Sequence, residues 1–300
     1  MRPELTRASD LLRSNSPEAV AEAIALLQQT VFSFSMKMCG HREDAEDTMQ
    51  DVLFSSLKHL AKIQDPNALA AWLYTVTRNR CFRMRRGHAE VEQRKLSLDD
   101  LIPNEAELRQ LHPEGADGPE SQVLHAEQHR LLHEAVLHIP TPLRTVLVLH
   151  DMEELTTEQV AGILGLQPGT VRVRLHRARL AVRKEMSQIL SGIPRPQPAA
   201  RKPSAERKKE CLDLFRNLSE YLDARVDPRT CGQMQRHIAQ CPACVAFLKD
   251  LRAAVDRCRS FDVACDPEVA ARMRALMTQE YLRLIGQPTQ PVTPARPRSY

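Results

Sequence analysis

Residues 155–186, LTTEQVAGILGLQPGTVRVRLHRARLAVRKEM, admit few backbone arrangements. Thr156 stands where its hydroxyl can cap a helix, and Gln159 three residues later completes a capping-box pattern. Val160, Ile163 and Leu164 give that helix an apolar face, Gly165 permits a sharp turn, and Pro168 and Gly169 precede Thr170 as the cap of a second helix. The spacing predicts a helix-turn-helix. On the second helix Val171, Leu175, Ala178 and Val182 fall in one narrow stripe that must face a core. Thr170, Val173, Arg177 and Lys184 take the opposite side, flanked by Arg172, Arg174, His176 and Arg183. Arginines there supply phosphate neutralisation and bidentate contacts to guanine, and an outward valine can meet a thymine methyl. A solvated basic face is the plainer alternative; the coincidence of caps, turn and basic face favours DNA binding.

The remainder also reads as helical. Aromatic residues make up 4%, and glycine is scarce at 10 against 20 prolines, a poor composition for a β-sandwich or a glycine-rich nucleotide fold. A length of 300 residues suits two domains, or three small ones. Over 17–86 long amphipathic stretches precede a break at Pro66 and the segment ALAAWLYTVTRNRCFRMRR. In REDAEDTMQDVLFSSLKHL, Ala45, Met49, Val52 and Leu53 lie on the buried side while Asp44, Asp47, Gln50 and Asp51 recur on another face. Such carboxylates can be solvated, hold a divalent metal or dock on a basic protein; metal is disfavoured without nearby histidine or a loop. The next helix carries Arg78, Arg80, Arg83, Arg85 and Arg86 with no acidic residue among them, a density suited to a nucleic-acid backbone, with Asn79 placed to bond a base. Trp72, beside Leu73, reads as core rather than a stacking platform. The net charge of +4 therefore sums basic helices, an acidic helix and an acidic connector.

Eight cysteines are unevenly placed: Cys39 and Cys81 early, and Cys211, Cys231, Cys241, Cys244, Cys258 and Cys265 late. The first twenty residues hold no apolar signal core and no run approaches about 18 apolar residues, so a reducing, cytoplasmic location without membrane contact is expected. Clustered cysteines there point to metal or redox chemistry. His237, Cys241 and Cys244 follow H-x3-C-x2-C: His237 and Cys241 are one helical turn apart, and the CPAC turn can bring Cys244 to the same zinc ion. The fourth ligand is open between Cys211 and Cys231. A site with four protein ligands keeps no position for hydrolysis. Cys258 and Cys265 would share a face only if their helix continued, against which Asp266-Pro267 speaks; they are buried thiols or a second metal or disulfide response. An enzyme is the least favoured class, because no nucleophile, phosphate loop or open metal site stands out.

The pairing of DAEDTMQDVL and AAWLYTVTRNRCFRMRR with IPTPLRTVLVLHDMEELTTEQVAGILGLQPGTVRVRLHRAR resembles a bacterial RNA polymerase sigma factor of the extracytoplasmic-function group, across roughly residues 17–187. The resemblance implies an all-α fold: a region 2 bundle over 17–87, an acidic linker over 88–122, and a region 4 helix-turn-helix over 123–190. It further implies that Asp44, Asp47, Gln50 and Asp51 dock on core RNA polymerase. The helix with Arg78, Asn79, Arg83, Arg85 and Arg86 would open the minus-ten promoter element. That with Thr170, Arg172, Val173, Arg174 and Arg177 would read the minus-thirty-five promoter DNA. Val173 departs from the small polar residue common there. A proline-rich linker (191–208) leads to a block (209–262) that resembles zinc-containing anti-sigma domains, which implies Cys211 with His237, Cys241 and Cys244 as one Zn2+ site. An amphipathic helix (263–286) and a tail (287–300) follow. The fused block is expected to pack against one or both sigma domains and tune their access to polymerase. A zinc or thiol sensor with a sigma-like output, and a simple helix-turn-helix repressor, are the rival readings.

Overall fold

The computed structural model describes residues 2–14, 16–60, 62–63, 65–85, 101–102, 121–191 and 209–286. The linkers expected over 88–122 and 191–208 lie outside these residues except at 101–102, 121–122 and 191, and the tail over 287–300 lies wholly outside. Among the described residues there are twelve α-helices and no strand, so the chain is all-α.

The first unit comprises α1 (Pro3–Ser14), α2 (Pro17–Cys39), α3 (Arg42–Leu60) and α4 (Pro66–Arg85). Ser16 caps α2 by accepting from the Ala19 amide, and Pro17 suits the first turn, where its missing N–H costs nothing. At the other end Gly40 adopts φ +83°, and a β-carbon there would clash with the Leu137 side chain, so this glycine serves both the turn and the close approach of α2 to a later helix. Asp65 caps α4 through the amides of Asn67 and Ala68, at 3.1 and 3.2 Å. Helix α2 is central: Ile24, Leu27, Val31 and Phe34 are buried together with Leu5 and Ala8 of α1, Met49 and Leu53 of α3, and Leu73 and Tyr74 of α4. Helix α2 also has the length and hydropathy of a membrane span, alone in this among the described residues, but most of it is buried in this bundle. The sequence reading did not anticipate α1. Leu101 and Ile102, inside the expected acidic linker, are buried in the core as well.

The second unit is formed by α5 (Ser121–His138), α6 (Thr141–Leu147) running on into a π turn (Val148–Met152), α7 (Thr157–Leu164) and α8 (Pro168–Ser191). Thr156 Oγ1 accepts from the Gln159 amide at 3.2 Å while Gln159 Oε1 accepts from the Thr156 amide at 2.9 Å, the reciprocal capping box. Gly165 takes φ +64° and ends α7. Val171, Leu175, Ala178 and Val182 are buried, as their spacing requires.

The third unit holds α9 (Lys209–Leu222), α10 (Pro228–Gln240) and α11 (Pro242–Ser260), with Phe215 and Phe247 meeting edge-on at 5.0 Å. Residues 261–266 are extended, and α12 (Pro267–Ile285), capped by Asp266, follows. Helices α9 and α11 lie against α8, and α11 also against the π turn; α12 lies against α2 and α3, burying Met273, Met277 and Tyr281. Gln28 Nε2 of α2 donates to the Ala270 carbonyl of α12 at 3.2 Å. The first two units also touch directly, α4 on α7 and α2 on α5.

Candidate nucleic-acid interface and metal centre

Helix α8 divides its arginines between two environments. Thr170, Arg172, Val173 and Arg177 are exposed and Arg174 is half-buried; Val173, at 54% exposure, is one of the few large apolar side chains left in solvent. Arg179 and Arg183 behave differently. The Arg179 guanidinium is fully buried, donating to both oxygens of Asp151 in the π turn at 2.7 and 2.6 Å. It also donates to Asp223 at 2.9 and 2.8 Å and to the Ser219 hydroxyl at 2.8 Å, both in or just beyond α9. Arg183 donates to Asp250 of α11 at 2.6 Å and lies 4.9 Å from the Phe247 ring centroid. Arg183 was expected to flank the reading face; it is buried because it follows Arg179 by one turn along the edge of the apolar stripe. Burial alone would raise Asp151, but Arg179 and then His150 hold its carboxyl far below the usual range, while the two carboxylates push Arg179 up against its own burial. His176 is mostly enclosed with neither ring nitrogen hydrogen-bonded, and burial, then Arg179 and Arg177, lower it to about 4.

On α4, Arg78 donates to the Ile163 carbonyl at the end of α7 at 3.0 Å and also to Asn79, and burial lowers its pKa. Asn79 and Arg83 are exposed, Arg80 pairs with Asp51, and the Arg85 side chain and Arg86 lie outside the described residues. On α3, Asp47, Gln50 and Asp51 are exposed and Asp44 is half-buried, on the face away from Ala45, Met49, Val52 and Leu53. Trp72 is half-buried, its ring tilted on His59 at 5.5 Å.

In the third unit the structure brings Cys211, His237, Cys241 and Cys244 together, their donor atoms all within 4.8 Å of one another; Cys231 is not among them. Cys211 Sγ lies 3.3 Å and Cys244 Sγ 3.2 Å from His237 Nε2, and the two sulfurs are 3.7 Å apart. Tetrahedral bonds of about 2.3 Å to sulfur and about 2.0 Å to nitrogen place sulfurs about 3.8 Å apart and sulfur and nitrogen about 3.5 Å apart. The donors therefore fit a tetrahedral ion. Burial and then Cys241 and Cys211 push the Cys244 thiol up, whereas hydrogen bonds from Cys244 and Cys211 pull Cys241 down despite its own burial. All eight cysteines are free thiols. Cys258 is fully buried and pushed up by burial and then by Asp151; Cys265 lies in the extended segment, 4.0 Å from Met49 Sδ, and is also pushed up by burial. Raised thiols of this kind are poor nucleophiles.

Comparison with known proteins follows the same three-part division. Residues 23–90 match the family model described as Sigma-70 region 2, residues 129–182 that described as Sigma-70, region 4, and residues 211–244 that described as "Putative zinc-finger". The chain is similar to the ECF RNA polymerase sigma factor SigW of Bacillus subtilis, 25% identical over 181 residues that make up 59% of this chain and 94% of that protein. It is similar too to the ECF RNA polymerase sigma-E factor of Haemophilus influenzae, 24% identical over 151 residues, 50% of this chain and 78% of that protein. To the RNA polymerase sigma-H factor of Pseudomonas aeruginosa it is 25% identical over 165 residues, 54% of this chain and 83% of that protein. Both sigma-70 regions, matched in that order, and the similarity to ECF sigma factors over more than half of its length mark the chain as a promoter-recognising RNA polymerase sigma factor. The sigma factor's first unit matches region 2, its second region 4, and its third the putative zinc-finger model. Two features of the sigma factor were missed from sequence: the turning inward of Arg179 and Arg183, whose four-residue spacing from Leu175 was a usable signal, and the charged junction of region 2 with region 4.

Proposed function

We propose that this sigma factor is held in a closed form by its own zinc domain, and that opening is the step that lets it direct core RNA polymerase to promoters in the cytoplasm. The observation that carries the reading is the capture of Arg179 and Arg183 by Asp223 and Asp250. Helices α9 to α11 thereby sit on region 4, α12 sits on region 2, and only the extended segment 261–266 joins them. That arrangement fastens the two halves together. The minus-ten and minus-thirty-five elements lie about 25 base pairs apart, about 85 Å along B-form DNA. In the closed form α4 touches α7, with Gln159 Nε2 donating to Asn67 Oδ1 at 3.0 Å, so the two reading helices cannot reach both elements.

In the open form Asp44, Asp47, Gln50 and Asp51 would dock on core polymerase. Arg78, Asn79, Arg83, Arg85 and Arg86 would engage the minus-ten element, and Thr170, Arg172, Val173, Arg174 and Arg177 the minus-thirty-five element. The chain supplies promoter choice and strand opening while polymerase makes the RNA. Cys211, His237, Cys241 and Cys244 would hold zinc, which when bound cross-links α9 to the turn between α10 and α11. Those residues then set the placement of Asp223, just after α9, and of Asp250 on α11. Transcription by core polymerase on genomic DNA of the same organism tests the reading. A chain ending near residue 195 should yield more transcript than the full chain at equal concentration, and a lower yield would leave an activating role instead.

A further inference from the structure

The junction between region 2 and region 4 contains a group of charges that no reading of either region, or of the zinc domain, uses. Glu153 follows the π turn of region 4 and is fully buried. Its Oε1 accepts from Lys37 Nζ of α2 at 2.8 Å and its Oε2 from the Tyr74 hydroxyl of α4 at 2.8 Å. Lys37 is fully buried and Tyr74 nearly so, the latter held against Phe34 at 5.2 Å. Arg2, on the N-terminal side of α1, adds a third positive or polar partner, with Nε 3.4 Å from Glu153 Oε2 and Nη2 donating to the Met152 carbonyl at 2.8 Å. Around this centre lie further bonds between the same two regions. Arg144 of α6 donates to the Met38 carbonyl at 2.8 Å, the His133 ring lies 2.9 Å from the Met36 carbonyl, and Arg78 donates to Ile163 as described.

We infer that region 2 and region 4 carry a latch of their own, centred on the Glu153 carboxylate between Lys37 and Tyr74, which keeps region 4 over the minus-ten helix even when the zinc domain has let go. The inference rests on the closed-form reading above and deepens it. A buried carboxylate and ammonium within hydrogen-bond distance neutralise each other, and removing one leaves the other unpaired, at a far larger cost than an exposed pair. Here the unpaired partner has an escape, because Lys37 and Glu153 belong to different regions and both regain water when the regions separate. Loss of the pair is therefore relieved by opening rather than by unfolding. Of the other attachments, Asp223 and Asp250 hold the zinc domain to region 4, and Asp262 in the extended segment bonds Ser33 at 2.7 Å and shares Arg2, at 3.4 Å, with Glu153; none of them takes part in the Glu153 contacts with Lys37 and Tyr74.

The test uses the full chain with two fluorophores, introduced as unnatural amino acids at the exposed positions Glu18 and Ser187 so that the cysteines are untouched. Energy transfer between them reports the distance between region 2 and region 4. High transfer is expected in the wild type and in Asp223→Ala/Asp250→Ala, and low transfer once Glu153→Lys is added to that pair, with helix content by circular dichroism unchanged. Adding Lys37→Glu to that triple variant restores opposite charges and should bring high transfer back, which a misfolded protein could not do. Low transfer in Asp223→Ala/Asp250→Ala alone would overturn the latch while leaving the zinc-domain reading intact. High transfer in the triple variant, or low transfer persisting after the charge swap, also overturns it. Low transfer in the wild type itself would instead reject the closed form.

Discussion

Asp223→Ala is the perturbation whose size follows most directly from the geometry. Asp223 accepts two bonds from Arg179, at 2.9 and 2.8 Å, and lies 3.5 Å from Arg259. Its removal does not strand the buried guanidinium, because both oxygens of Asp151 remain on Arg179 at 2.7 and 2.6 Å, so the 3–5 kcal/mol typical of an uncompensated buried charge is too large here. Hydrogen bonds to charged groups, at about 1.5–3 kcal/mol, give the right scale, and about 2 kcal/mol off the closed form is expected. While the closed form still dominates, that raises the competent fraction about 30-fold, and the apparent requirement for protein falls by the same factor. The assay is the concentration of sigma factor giving half-maximal transcript at fixed core polymerase. Asp151→Asn is the contrasting variant: Asp151 lies within region 4, so it should lower thermal stability without the gain. An unchanged half-maximal concentration for Asp223→Ala, with the protein folded, would refute the argument that Arg179 links closure to activity.

Two further outcomes follow from the metal centre and from His176. Cys211→Ser and His237→Ala should each lower the zinc bound per chain, measured by elemental analysis after gel filtration, whereas Cys231→Ser should leave it at the wild-type level because Cys231 lies outside the cluster. His176 is lowered to about 4, so between pH 6.5 and 4 the unfolded chain holds a proton that the folded chain does not, and stability falls as pH drops through that window. Urea unfolding at pH 7.5 and pH 5 should differ by about 2 kcal/mol from this group, and His176→Leu should remove that part of the difference; an identical slope in the variant would show that the ring is not the titrating group.

Much of the fold could be read locally. Thr156, Gln159 and Gly165 are governed by neighbours within four residues, so capping rules suffice, and the stripe from Val171 to Val182 needs only helical periodicity. His237, Cys241 and Cys244 are similarly local, and their meeting with Cys211 needed only the pairing of α9 with the α10–α11 turn. The charged junctions were not legible for the opposite reason. A lysine near the end of a helix and a glutamate after a turn both read as solvent-facing, and the partner of Lys37 is 116 residues away. Arg183 read as a flank of a basic DNA face, and Arg179 was given no partner, because their carboxylates, Asp250 and Asp223, are 67 and 44 residues distant. Charge reveals that a side chain needs water or a partner; it does not reveal which.

The distribution of exposure bears on how the proposed inhibition would work. A regulator that acted by cover would bury the surfaces proposed to meet polymerase and promoter, yet Asp47, Gln50, Thr170, Val173 and Arg177 of those proposed surfaces stay exposed. What closure takes away is separation: Arg78 is drawn onto the Ile163 carbonyl, and α4 and α7 are in contact where the promoter demands a long span. Inhibition by fixed distance is graded by the strength of the fastenings, since each attachment multiplies the same closed-to-open ratio. The zinc domain and the Glu153 latch would then act in parallel, so that weakening either raises the open fraction and only loss of both empties the closed state.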